Sequence, residues 1–268
     1  MRQNNATPVR GVVGAARSGS AFTLDRRGPS AAAARYVDHY WIVRGDLRGQ
    51  EPFDSTVITF PAVNLTREWG TNAHRHGHTL PAVPAHGVVD RAFRTINGTG
   101  AVVGARFHPV GFTARFGSDA GSLTGRVVRA ENLMPDAPLD VDGSVHAFEA
   151  DIAPEAPVDE TYLKLRPLVN RMTDHDRLQR VEQVMRLSPW SARKAQRVFG
   201  RYVGVPVTWV LCRYRLQHAA LEIETNRGVD FADLAVRLGW YDQPHFISDF
   251  RTMLGCTPGE YGARTRAG

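Results

Sequence analysis

The spacing of apolar residues changes near the middle of the chain, and this change limits what the chain can fold into. Upstream of residue 136, Gly, Pro and Asn separate short β-branched or aromatic segments at residues 57–60, 64–66, 79–83, 87–89 and 101–107. Downstream, apolar residues recur with the 3.6-residue period of an α-helix. The two patterns predict an α+β chain, in which a β-rich domain of barrel or cupin-like form precedes an all-α domain.

The predicted domain boundaries follow the composition. Helical turns are predicted at residues 30–41 and 111–116 of the β-rich domain. The segment 136–159 is rich in Pro and acidic residues and has almost no long apolar period, so it is predicted to be a linker, with a short helix at 145–150 as an alternative. The predicted organisation is a flexible tail (1–20), a β-rich sensor or oligomerisation domain (21–135), the linker (136–159), a helical domain (160–262) and a second tail (263–268).

The positive charge is concentrated in the C-terminal part of the chain. Of the formal net charge of +6, residues 162–268 carry +7, from 17 Arg and Lys against 10 Asp and Glu. Residues 1–161 carry −1, from 16 Arg against 17 Asp and Glu. This asymmetry indicates a polyanionic partner, with nucleic acid ahead of an acidic membrane surface. A solubilising charge is the alternative that charge alone leaves open.

The chain shows no signal for a membrane span, for secretion or for disulfides. No apolar run reaches the roughly 18 residues that a membrane span needs, and the N-terminus lacks the apolar core of a secretory signal. The two cysteines, Cys212 and Cys256, are too few for a disulfide framework and are interpreted as small core residues. We therefore expect a soluble protein of the reducing cytoplasm.

The first of two helix pairs in the C-terminal half has the features of a helix-turn-helix. A short helix ends before Pro189, and Ser191 is expected to cap a second helix. The spacing of four apolar residues places them on one buried face of this second helix: Ala195, Val198, Phe199 and Tyr202. Arg193, Gln196 and Arg197 form a ridge elsewhere on the helix, and such side chains pair with guanine and adenine in the major groove. A solvated helix face is the alternative interpretation.

The second pair repeats this arrangement after one long helix. Asp242 is expected to cap a helix with four inward-facing apolar residues: Phe246, Phe250, Met253 and Leu254. His245, Ser248 and Thr252 then face outward. The long helix from residue 208 to about residue 225 spans roughly 27 Å. A rigid spacer of this length could hold two recognition helices about one DNA turn, roughly 34 Å, apart.

Three stretches of the helical half carry recognisable motifs: SARKAQRVFGRYVGVP, RYRLQHAALEI and LAVRLGWYDQPHFISDFRTMLGCTPGEY. The last keeps the spacing G-[FWY]-x-D-x-x-H-F and the closing G-x-T-P-x-x-Y. From about residue 162 to residue 261 the chain thereby resembles the DNA-binding domain of the AraC/XylS family of transcription regulators. The resemblance implies a seven-helix domain with two helix-turn-helix units. It also implies a set of DNA contacts: Arg193, Lys194, Gln196, Arg197, Arg201, Gln243, His245, Ser248 and Arg251.

One departure from the family pattern affects the second recognition helix. Ser248 stands where many members carry Arg, and the neighbouring Asp249 is expected to repel phosphate. The second helix is therefore predicted to read DNA more weakly than the first. The function that the resemblance implies is sequence-specific transcription regulation on double-stranded DNA, with RNA polymerase as a further partner if the protein is an activator.

The upstream half also carries family motifs. VDHYWIVRG, FPAVNLTREWG and VVGARFHPVGF contain the elements W-x-V, P-x-x-N-L and G-x-x-F-x-P-x-G-F. They resemble the β-rich N-terminal domain attached to a subset of these regulators, although His108 and Val110 stand where relatives more often have Arg and Gly. The resemblance implies that this domain senses a small-molecule effector or forms a homodimer.

Several histidines of the upstream half raise a different possibility. In HRHGH, the alternating residues His74, His76 and His78 would share one face of a strand, and His86 and His108 lie in the same domain. These residues would suit a metal site in a cupin-like enzyme with a helical appendage, which is the alternative function. The surrounding Asn, Gly and Pro instead favour a solvated loop. No metal, cofactor or catalytic residue is predicted.

Overall fold

A computed structural model of the chain describes residues 12–13, 22–46, 53–57, 60–71, 74–89, 92–96, 99–133, 139–153, 159–173 and 178–266. Among these residues, strands precede helices along the chain. The prediction of an α+β chain with a β-rich domain before a helical domain is confirmed. Within the described ranges, no helix is long and apolar enough to span a bilayer.

The described strands are β1 (Val12–Val13), β2 (Phe22–Arg27), β3 (Val37–Asp46), β4 (Phe53–Val57), β5 (Asn64–Gly70), β6 (His74–Arg75), β7 (His78–Thr79), β8 (Pro84–His86), β9 (Ala92–Ile96), β10 (Thr99–Phe107) and β11 (Val127–Arg129). They pair in antiparallel fashion in a six-stranded sheet of order β11-β8-β5-β10-β3-β2, a three-stranded sheet of order β1-β4-β9, and the hairpin β6-β7. β5 and β10 confirm the strands predicted at 64–66 and 101–107. Of the predicted segment 79–83, only Thr79 lies in a strand, β7, and the segment 87–89 follows β8 without forming a strand.

The prediction of helical turns at residues 30–41 is wrong for most of that segment, and the sheet explains why. Only a 3₁₀ turn, Ala33–Arg35, forms there, and β3 begins at Val37. Residues of β3 pair with β2 on one side and β10 on the other, and these ladders outweigh local helical preference. The predicted turn at 111–116 is confirmed as helix α1 (Gly111–Phe116).

The predicted linker contains a helix, α2 (Val141–Ile152), which packs against the sheet. Its Phe148 and Ile152 are fully buried, and the Phe148 ring stacks on Tyr40 with the ring centres 6.0 Å apart. Arg115 Nε donates a hydrogen bond of 3.0 Å to the Ile152 carbonyl. The short helix at 145–150 that the sequence offers as an alternative lies inside α2. The β-rich domain therefore continues to at least residue 153.

The predicted tails also differ from the structure where it describes them. Val12 and Val13 pair with β4, so part of the segment 1–20 is a strand. The last helix runs into the predicted segment 263–268 and ends at Arg266. Residues 1–11, 14–20 and 267–268 lie outside the described residues.

The helical domain comprises α3 (Glu160–Met172), α4 (Val181–Leu187), α5 (Ala192–Val203), α6 (Val207–Thr225), α7 (Phe231–Arg237), α8 (Gln243–Leu254) and α9 (Pro258–Arg266). It contains two separate apolar cores. The first is formed by α3, α4, α5 and the first half of α6, and the second by the last half of α6 with α7, α8 and α9. α6 contributes to both cores, so it joins the two helix pairs as one continuous element.

Candidate nucleic-acid interface

The first recognition helix, α5, presents all of its predicted DNA contacts to solvent. Ser191 caps it, with Oγ accepting a hydrogen bond of 3.4 Å from the Lys194 amide. Gly204 ends it with a φ of 89°, a left-handed conformation that favours glycine. Four of its residues are buried: Ala195, Phe199, Tyr202 and Val203. The predicted contacts are exposed on the rest of the helix: Arg193, Lys194, Gln196, Arg197 and Arg201.

The helix before it has the position that a helix-turn-helix requires. Gln183 of α4 fixes the start of that helix, because its Oε1 accepts hydrogen bonds of 2.8 Å from the amides of Gln179 and Arg180. Val184 is fully buried in the first core. Residues 188–191 connect α4 to α5. The prediction of a short helix that ends before Pro189 is confirmed.

The second recognition helix, α8, has the same construction. Asp242 caps it by accepting a hydrogen bond of 2.8 Å from the His245 amide. Phe246, Phe250 and Leu254 are buried as predicted, and Met253 is half-buried. Of the predicted contacts on this helix, Gln243 is partly exposed and the others are exposed: His245, Ser248 and Arg251.

Asp249, which is expected to repel phosphate, also has partners inside the helical domain. Its Oδ2 accepts a hydrogen bond of 2.8 Å from the Trp240 indole and one of 3.5 Å from the Cys212 thiol. The same oxygen lies 3.5 Å from His245 Nε2. The carboxylate is thus turned toward the helix-turn-helix, where it joins α8 to the preceding turn and to α6. Burial, with the charge of Asp249, raises the pKa of Cys212 to about 11, so this thiol is a poor nucleophile.

α6 holds the two recognition helices in one frame. Its 19 residues span about 28 Å. Arg213, in its middle, is fully buried, with the guanidinium 5.3 Å from the centre of the Trp209 ring and Nη1 3.1 Å from Met253 Sδ of α8. The connection between the two pairs is therefore packed on its inner side.

Two features of this region were not expected from the sequence. Tyr241, in the turn before α8, is 90% exposed. Its position next to the cap of a recognition helix is the sequence feature that could have identified it. Thr113 and Thr124 of the β-rich domain donate hydrogen bonds to carbonyls at the C-terminal end of α5. The two hydrogen bonds join residues that are 88 and 80 positions apart, so a local sequence pattern cannot predict them.

Two of the upstream histidines approach each other in the described structure: the ring centres of His76 and His86 lie 5.2 Å apart. The chain reverses direction at His76 and Gly77, between β6 and β7, so HRHGH is a hairpin and not one strand. His86 is buried against Glu68 and Thr66, whereas His108 Nε2 lies 3.1 Å from Arg166 of α3. Burial and the Arg166 charge lower the pKa of His108. Across the described residues, no three His, Cys, Asp or Glu side chains are grouped as metal ligands.

Family models match both halves of the chain. Residues 188–264 match a helix-turn-helix domain, HTH_18, which is of AraC type. Residues 25–129 match a domain of unknown function, DUF6597. The first match contains α5 to α8 and so includes both recognition helices. No curated protein is significantly similar in sequence to the chain.

Solved structures with similarity to the chain include DNA-binding regulators. The DNA-binding domain of the global transcriptional factor AdpA, solved with a target DNA, is 27% identical, with 39% of this chain and 94% of that chain covered and a TM-score of 0.36. An AraC-type regulator from Chromobacterium violaceum is 19% identical, with coverages of 38% and 94% and a TM-score of 0.33. ToxT from Vibrio cholerae is 10% identical, with coverages of 91% and 98% and a TM-score of 0.39.

Proposed function

We propose that this chain is a DNA-binding transcription regulator, in which α5 and α8 read two neighbouring parts of one operator, and the match of residues 188–264 to an AraC-type helix-turn-helix domain supports the proposal. The observation that carries the proposal is the position of the predicted contacts. All the predicted side chains of α5 are exposed on a helix whose other face is buried, at the second position of a helix-turn-helix. α6, about 28 Å long, joins the two helix pairs, and one DNA turn is roughly 34 Å.

The proposed contacts divide into two groups. Arg193, Gln196 and Arg197 of α5 have the donors and acceptors to read base edges in the major groove, and so do three residues of α8: Gln243, His245 and Ser248. Phosphate contacts are proposed for the remaining exposed cations of the two helices: Lys194, Arg201 and Arg251. The second reader is proposed to be the weaker one, because Ser248 has a short neutral side chain and the neighbouring Asp249 is an acid.

The β-rich domain is the proposed regulatory part of the chain. We propose that it binds a small-molecule effector or forms a homodimer, and that RNA polymerase is a partner if the protein activates transcription. With β1 and α2 included, its proposed extent is residues 12–153. Because its proposed partner is double-stranded DNA, the protein is proposed to act in the cytoplasm and to catalyse no reaction.

Binding to duplex DNA is expected to weaken steeply as salt rises. The +7 charge of residues 162–268 displaces counterions from phosphates, so the logarithm of the binding constant falls linearly with the logarithm of salt concentration. The measurement is selection of bound sequences from a random DNA pool with the full chain, followed by titrations of the selected duplex from about 50 to about 200 mM salt. A slope near zero, or failure to enrich any sequence, would count against the proposal.

Arg197→Ala is expected to cost more binding free energy than Ser248→Ala. Loss of an arginine that pairs with guanine removes about 1–3 kcal/mol and relaxes the preference at one base pair. Loss of a neutral serine hydrogen bond removes less than about 1 kcal/mol. Competition of single-base variants of the selected duplex, at fixed salt, measures both effects. If Arg197→Ala weakens all sequences equally, Arg197 contacts phosphate, and if Ser248→Ala costs more, α8 is the principal reader.

A further inference from the structure

The β-rich domain closes on the C-terminal end of the first recognition helix. Thr113 Oγ1 donates a hydrogen bond of 3.2 Å to the Arg201 carbonyl, and Thr124 Oγ1 donates one of 2.6 Å to the Gly204 carbonyl. The last carbonyls of a helix have no partner within it. The two threonines therefore supply donors to the end of α5 from another domain.

The backbone approach at this contact is close. α1 and the 3₁₀ helix Ala120–Leu123 both pack on α5. A side chain added at Gly121 would place its Cβ 2.8 Å from the Gly200 carbonyl oxygen, and one at Gly204 would place its Cβ 2.9 Å from Thr124 Oγ1. Asp119 holds the 3₁₀ helix in place, since its Oδ1 accepts a hydrogen bond of 2.8 Å from the Gly121 amide. Gly121 of the 3₁₀ helix and Gly204 at the end of α5 thus permit the two domains to approach this closely.

This contact lies on the face of α5 that carries the proposed base-reading ridge. Gly200 follows Arg193 by seven residues, and positions seven apart share one face of a helix. Gly204 is the residue at which α5 ends. The β-rich domain therefore touches the far end of the same face, one to two turns beyond the arginines.

Only the first helix pair is joined to the β-rich domain in this way among the described residues. Val88 and Val110 of that domain are buried in the first helical core, beside residues of α3, α5 and α6. Tyr162 of α3 also donates a hydrogen bond to the Arg35 carbonyl. The second core, around α7, α8 and α9, consists of residues from 212 to 261 alone.

We propose that Thr113 and Thr124 are positioning residues, which fix the angle of α5 for the major groove and transmit the state of the β-rich domain to the first reader. The orientation of α8, which packs in the second core, is fixed by Trp240 and Asp249 instead. The inference rests on the proposed reading role of α5. If it holds, an effector or a dimer contact in the β-rich domain changes how α5 reads its part of the operator.

The test compares two double variants of the full chain. Thr113→Val with Thr124→Val keeps the side-chain shape and removes both donors, whereas Thr113→Ser with Thr124→Ser keeps the hydroxyls. The valine variant is expected to bind the selected duplex about threefold to tenfold more weakly, the scale of one to two neutral hydrogen bonds. Its base preferences should relax at the positions that Arg197→Ala affects and stay unchanged at those that Ser248→Ala or His245→Ala affects. The serine variant should restore the wild-type pattern.

A purely structural role gives a different result. In that case the valine variant would lose affinity for all sequences in proportion to the unfolded fraction, which thermal unfolding measures, and the inference would be wrong. Wild-type preferences in the valine variant would also overturn it. If Arg197→Ala changes no base preference, the proposed role of α5 fails first, so the two failures are distinguishable.

Gly121→Ala provides an independent variant that leaves both hydroxyls in place. The added Cβ lies too close to the Gly200 carbonyl, so the 3₁₀ helix must move away from α5. We expect the same selective relaxation of the positions read by α5. Ser122→Ala, at an exposed position of the same 3₁₀ helix, is the control: it removes only the local hydrogen bond of 2.7 Å from Ser122 Oγ to the Asp119 carbonyl and should retain wild-type preferences. Equal behaviour of the two alanine variants would contradict the inference.

Discussion

Phe250→Ala lowers the free energy of unfolding of the second helix pair by about 3–5 kcal/mol, the usual cost of deleting a buried phenyl ring. Phe250 is fully buried in the second core. Its ring centre lies 5.6 Å from that of Phe246 and 5.5 Å from that of Tyr261, both in edge-to-face geometry. Urea and thermal unfolding of the full chain, followed by circular dichroism, measure the loss.

Ser248→Ala is the matched control for this variant, because Ser248 is exposed on the same helix. Its stability should stay within about 0.5 kcal/mol of wild type. Since Phe250 points away from the proposed DNA surface, lost DNA binding in Phe250→Ala should equal the loss of folded protein. Wild-type stability of Phe250→Ala would show that the inner face of α8 is assigned wrongly.

The helical half could be predicted well because its signals are local. The caps Ser191 and Asp242 and the terminating Gly204 lie within one turn of the helix ends that they determine. The apolar period then identifies the buried face, and the remaining positions are the candidate contacts. The predicted ridge of α5 is therefore exposed as expected.

The parts that the sequence did not predict depend on partners far along the chain. Phe148 of α2 is buried only because the sheet lies against it, and nearby Pro and acidic residues conceal its helical period. The inward turn of Asp249 depends on the indole of Trp240 and the thiol of Cys212, which is 37 residues away. The caps that Thr113 and Thr124 provide for α5 are equally non-local.

A buried acid in the β-rich domain makes stability depend on pH. Glu68 of β5 is almost fully buried, and its Oε1 accepts a hydrogen bond of 2.8 Å from Thr66 and lies 3.1 Å from His86 Nε2. Arg75 Nη1 lies 3.6 Å from the other oxygen. Burial alone would raise the pKa of Glu68, but the hydrogen bond and charge of His86, with His76 and Thr66, lower it to about 2.

The wild-type chain is therefore expected to lose stability relative to Glu68→Gln as the pH falls from about 4.5 toward about 2. The unfolded carboxyl takes up its proton near its ordinary value of 4.5, whereas the folded carboxyl stays ionised to about 2, so its contribution is complete above 4.5 and declines below it. The whole difference amounts to about 3 kcal/mol. Urea titrations at stepped pH measure it.

Other carboxyl groups also titrate in this range, so the measured quantity is the difference between the two proteins. Glu131 and Glu260 have pKa values lowered by Arg129 and by Thr257, despite the opposing effect of burial, and their contributions are the same in wild type and in Glu68→Gln. Subtraction therefore leaves the part that belongs to Glu68 and His86. Parallel stability profiles from pH 4.5 downward would mean that His86 does not hold Glu68 ionised, because a carboxylate without that partner would be protonated in the folded and unfolded chains alike.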